Sequence, residues 1–206
     1  MRNQAKNFFQ TTRSYSFTPE DEKIVFVSYR HKPIDAELAL DCVDILKSTG
    51  LNYWFDEHDE CIASAQAENS GIKIATCIEQ GLDVASALLG IIGPETFSSP
   101  WIPYEIGGAR GRQSFVNPFP TTPPPNPLIA HFIHNDVVMS DVPGFVGLGA
   151  PLRCLCEVEQ WAKSVADILR EIRQNPTRKL PLAIVDILQK KYDLHEVYTR
   201  NTRFLR

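Results

Sequence analysis

The chain has 206 residues, 43% hydrophobic and 22% charged, which suits a globular protein of one sizeable domain with extensions. A net charge of −4 argues against a general nucleic-acid binder, and no apolar run is long enough to span a bilayer. Met1–Gln10 is polar and lacks the apolar core of a secretory signal, so a cytoplasmic protein with neither a membrane nor a nucleic-acid partner is expected.

Residues 1–21 mix Phe8, Phe9, Tyr15 and Phe17 with polar residues at no regular period and read as an N-terminal arm. Ile24-Val25-Phe26-Val27 is a β-branched and aromatic run, the mark of a strand, and a polar loop, Ser28-Tyr29-Arg30-His31-Lys32, leaves it. Pro33 suits a helix start. Leu38, Cys42, Ile45 and Leu46 then fall at helical spacing, and Gly50 suits the position past the helix end. Leu51–Phe55 reads as a second strand ending in Asp56, so the chain opens strand–helix–strand with short links, the unit of a parallel crossover. Trp54 and Asp56 read as a strand end and a turn cap rather than as substrate contacts.

Glu57–Ser70 has no clear period, although Cys61–Ala67 fits a short helix. Gly71–Gln80 reads as a helix with Ile72, Ala75 and Ile78 on one side and Gly81 past its end. Ala87–Ile92 is continuously apolar, as expected of a parallel strand covered on both faces, and Gly93-Pro94 ends it. Ser98 and Ser99 suit the cap of the next helix, with Pro100 at its first position; Pro103 disfavours helical backbone at Ile102 and moves the regular start as late as Pro103. Either way Glu105 falls in the first turns, just past the carboxyl end of a strand, the edge at which open α/β sheets bind ligands. From spacing alone, Glu105 is either a first-turn acid favoured by the helix dipole or a pocket carboxylate.

Residues 117–127 hold six prolines, from Pro118 to Pro127, and read as a stiff surface connection. Leu128–Ile133 is a fourth apolar strand; no third ligand type recurs near His131 and His134, so no metal site is expected there. Val137–Pro151 is glycine-rich but lacks a phosphate-binding register. Leu152–Leu155 reads as a short fifth strand. Glu157–Arg173 reads as an amphipathic helix with Val158, Trp161, Val165, Ile168, Leu169 and Ile172 in its apolar stripe. Residues 176–206 read as an extension with an added helix at Leu182–Lys191 and a basic tail. The five cysteines, Cys42, Cys61, Cys77, Cys154 and Cys156, have no zinc spacing and no Cys-x-x-Cys. They read as packing residues in a reducing compartment. The coarse order is βαβαβαβ(β)α, an α/β domain over residues 22–175.

Several segments, taken in order, resemble a Toll/interleukin-1 receptor (TIR) domain. They are Val25-Phe26-Val27-Ser28-Tyr29-Arg30, the strand end Trp54-Phe55-Asp56, the helix Ile74–Gly81 before a hydrophobic strand, and a Ser-x-Trp-x-x-x-Glu element in Ser99–Glu105. The resemblance as a whole covers some three quarters of the chain, and Gly93–Glu105 is most similar to bacterial TIR proteins, including those of Thoeris-like antiphage defence. The resemblance implies a flavodoxin-like sheet of five parallel strands in the order 2-1-3-4-5 with helices on both faces. It also implies cleavage of NAD between nicotinamide and ribose by the glutamate at position 105, with NAD as substrate and no cofactor or metal. The expected product is ADP-ribose in linear, cyclic or conjugated form, a signal for a downstream effector, and the expected partner is a second copy of the TIR domain.

In that setting Ser28, Tyr29, Arg30 and His31 leave the central strand beside the substrate. Arg30 either pairs with the diphosphate or is a plain surface cation, Tyr29 is placed to stack on a ring, and Trp101 either walls the nicotinamide or anchors the helix in the core. One departure stands out: Glu57–Ser70 has neither the glycine nor the proline common in the family's assembly loop. A non-catalytic TIR interaction module is the alternative expectation. A receiver-like regulator is disfavoured, because Ser-Tyr-Arg-His stands where its clustered acids belong.

Overall fold

The structure, a computed structural model, describes residues 24–116, 128–137 and 149–174. The expected N-terminal arm, proline-rich connection, C-terminal extension and most of the glycine-rich loop lie outside these residues. Five strands, β1 (Ile24–Ser28), β2 (Asn52–Trp54), β3 (Ala87–Ile92), β4 (Ile129–Ile133) and β5 (Ala150–Leu152), form one parallel sheet in the order β2-β1-β3-β4-β5. The helices are α1 (Pro33–Ser48), α2 (Glu60–Ala67), α3 (Gly71–Val84), α4 (Trp101–Val116) and α5 (Leu155–Gln174). This is the flavodoxin-like α/β architecture expected from the sequence.

Side-chain alternation along the strands divides the core in two. Val25, Val27, Leu89, Ile91, Ala130 and Phe132 pack with the apolar faces of α1 and α5. Phe26, Leu88, Ile92, Ile129 and Ile133 pack with α2, α3 and α4 on the other face. The link after β1 and the link after β3 therefore lead to helices on opposite faces, the topological switch point at which open α/β sheets place ligands.

Local signals explain most boundaries. Pro33 opens α1, and Gly50, with a φ of 74°, takes the left-handed position after its end. Asp59 caps α2 by accepting from Ile62 N at 3.0 Å. Helix α4 starts at Trp101, earlier than the Pro103 limit. Pro103 is tolerated as the third helical residue because the first-turn N–H groups have no intrahelical acceptor.

Four expectations change. Helix α3 continues through Gly81 to Val84, so Gly81 is not a terminator: a Cβ there would come within 2.5 Å of the Trp54 indole, which packs across the helix and stacks on Phe26. Ile72 is 84% exposed rather than on the packed side, which is formed by Cys77, Ile78 and Leu82. Strand β5 lies two residues earlier than expected, and Leu155 already belongs to α5. The cysteines are more than packing: Cys61 is disulfide-bonded to Cys77 and Cys154 to Cys156, leaving only Cys42 free and buried. Cys154-x-Cys156 forms the turn into α5. No helix among the described residues is long and apolar enough to cross a membrane.

Candidate active site

Glu105 is the fifth residue of α4 and faces the end of β1. It is 7% exposed, and its Oε2 accepts a hydrogen bond from Ser28 Oγ at 2.5 Å. Ser28 reaches it because position 28 lies on the same sheet face as Phe26, the face that α4 covers. Burial pushes the Glu105 carboxyl up to about 7. The Ser28 hydrogen bond opposes that rise, the Asp56 charge adds to it, and His31 opposes it. A carboxylate poised near neutrality and seated at a strand's carboxyl end is suited to act on a ligand at that edge.

The next three residues of the loop diverge. Tyr29 turns to the α1 face, stacks on Phe55 at a 4.8 Å centroid distance and donates to Glu57 Oε1 at 2.9 Å. Burial and the neighbouring Asp56 and Glu57 raise its hydroxyl's pKa, so it stays protonated at working pH. Arg30 Nη1 forms an ion pair with Glu95 Oε2 at 2.5 Å and also donates to the Glu95 carbonyl at 2.9 Å. His31 Nε2 hydrogen-bonds to Asp56 Oδ2, and that bond raises the imidazole's pKa despite burial. Trp101 is 39% exposed and touches Tyr104 edge-on, with centroids 6.2 Å apart, so it is not a core anchor.

Beside this cluster lies a pocket of about 630 Å³ lined by His31, Lys32, Pro33, Asp56, Glu57 and Gln66, among others. Its volume lies within the range of small-molecule sites, about 300–1,000 Å³. Glu105 is not in that lining. His31 and Asp56 connect the two, since both line the pocket and both act on the Glu105 charge.

Two acids escaped the sequence reading. The turn cap expected of Asp56 is half of its role: its Oδ1 accepts from Glu57 N at 2.9 Å, and its Oδ2 holds His31. Only the pairing of β1 with β2, with Phe26 opposite Trp54, brings the two strand exits together, and no local spacing reports that. Asp35 is 6% exposed at the start of α1, and Gly93 at the end of β3 is a glycine because a Cβ there would lie 2.5 Å from Asp35 Oδ1. Burial raises the Asp35 pKa, while His134 and Arg30 counter it. The crossover therefore carries a buried carboxylate on each face.

Among the described residues no cluster of His, Cys, Asp or Glu is arranged to hold a metal ion. His131 is wholly buried in β4 between Gly90 and Gly149, and burial pushes its pKa down to about 3, so it is a neutral core residue. No family model and no curated protein sequence matches this chain.

Proposed function

We propose that this chain is a TIR-type enzyme that cleaves the bond between nicotinamide and ribose in NAD, releasing nicotinamide and an ADP-ribose-type product. The observation that carries the reading is the buried Glu105 carboxylate at the crossover edge, held by Ser28 and poised near neutral pH. Nicotinamide in NAD is already cationic and leaves as a neutral molecule, so its departure requires no general acid. The demand on the protein is to stabilise a ribose that becomes oxocarbenium-like. A desolvated carboxylate beside the sugar meets that demand by charge and by accepting from its hydroxyls. Lys32 supplies a cation at the adjoining pocket for a diphosphate, where the lining acids Asp56 and Glu57 are engaged by His31 and Tyr29. By its likeness to bacterial antiphage TIR proteins, the product is a signal read by a downstream effector.

The test is to incubate the purified protein with NAD and separate nicotinamide from the nucleotide products. Wild type is expected to turn NAD over and Glu105→Ala is expected to lose at least about 100-fold. Equal turnover by the two proteins, or none by wild type, overturns the reading. A non-catalytic assembly module is the second reading, and the observation that favours it is that Glu105 is absent from the pocket lining. It predicts self-association, measured by light scattering, with no NAD turnover.

A further inference from the structure

We propose that His31 and Asp56 form the acceptor-activating pair of this site, His31 Nδ1 taking the proton from the hydroxyl group that attacks the ribose. The proposal rests on the NAD-cleaving reading and adds the second half of the reaction. His31 leaves the end of β1 and Asp56 leaves the end of β2, and the parallel pairing of these strands sets the two side chains in contact. The Nε2–H donated to Asp56 Oδ2 leaves the lone pair on Nδ1, which makes no hydrogen bond among the described residues. Asp56 is itself held by Glu57 N, and the Tyr29 ring lies against the imidazole at 5.1 Å, so the orientation is braced from two sides. The His31 side chain is 55% exposed and lines the pocket, within reach of an incoming acceptor. A carboxylate that orients an imidazole and steadies its cation is the arrangement of a general base.

The step balances without a redox partner. The C1′–N bond to nicotinamide breaks and its electron pair stays on the ring nitrogen, which neutralises the pyridinium. The acceptor oxygen bonds to C1′, and its proton passes to His31 Nδ1 and on to solvent. With water the products are nicotinamide, ADP-ribose and one proton. An acceptor that carries no proton on its attacking atom, such as a pyridine base, bypasses His31 and still depends on Glu105.

That difference supplies the experiment. NAD is offered with and without 3-acetylpyridine, and the ratio of ADP-ribose to exchanged dinucleotide is measured for wild type, His31→Asn and Asp56→Asn. The ratio is expected to fall about 100-fold in His31→Asn and by less in Asp56→Asn. In wild type the ratio rises with pH as His31 loses its proton. Asp56, Glu57 and Glu105 face the imidazole with negative charge and hold that proton, Lys32 adjoins it in the chain, and the Tyr29 hydroxyl stays neutral. In His31→Asn the ratio is flat with pH. A ratio unchanged in both variants overturns the pair's role, and so does a fall in both products together, the mark of a purely structural or binding role. No nicotinamide release by wild type in either arm overturns the NAD reading itself and this proposal with it.

Discussion

Glu105 is where stability and chemistry pull apart. Its carboxyl rises from an ordinary 4.5 to about 7 because burial removes water from the charged form. Below the lower value both folded and unfolded chains hold the proton, and nothing is lost. Between the two values only the unfolded chain releases it, so this residue's contribution to stability falls as pH rises. Above about 7 the cost is on the order of 3 kcal/mol. Glu105→Gln keeps an acceptor for Ser28 and removes that cost. Thermal denaturation is expected to show a higher Tm than wild type at pH 8, with the gain vanishing near pH 4; a lower Tm at pH 8 contradicts the burial argument. The comparison needs the variant, because neutral His131 acts in the opposite sense: the unfolded chain gains a proton there as pH falls, and stability is lost with it.

At the scale of elements, two contacts on the α3 side hold the wall that supports the site. The Trp54 indole packs across Gly81, and its Nε1 donates to Asp59 Oδ2 at 2.8 Å, which ties the exit of β2 to the cap of α2. Gly81→Ala drives a methyl group into the ring and is expected to cost about 1–3 kcal/mol, read as a lower urea midpoint; an unchanged midpoint shows that the indole moves freely. The Cys61–Cys77 bond joins α2 to α3 across 16 residues, a closure associated with about 3 kcal/mol. Cys61→Ser is expected to reproduce most of the Tm loss caused by a reductant, since Cys154–Cys156 closes almost no loop. A reductant that still lowers Tm fully in Cys61→Ser contradicts this. The periods of α1 and α5 and the run of β3 were legible in the sequence because each is a local pattern. Glu105 was legible as a first-turn acid for the same reason. Gly81, the cysteine pairs and the His31–Asp56 contact were not, because each depends on which element packs beside which.

Across the whole molecule, the order β2-β1-β3-β4-β5 sends the links from β1 and β3 to opposite faces and makes one switch point. Glu105 approaches it from the α4 side and Asp35 from the α1 side, while His31 and Asp56 line the pocket and act on the Glu105 charge. The parallel order alone sets where a ligand goes. On the proposed reading, what happens to it there depends on the charge state of one buried acid. The most direct measurement is the pH–rate profile of nicotinamide release from NAD by wild type and Glu105→Gln. The account predicts a wild-type rate that climbs as Glu105 ionises and levels off above about pH 7, with Glu105→Gln at least about 100-fold slower throughout. A Glu105→Gln rate equal to wild type, or a wild-type rate indifferent to pH across that range, contradicts it.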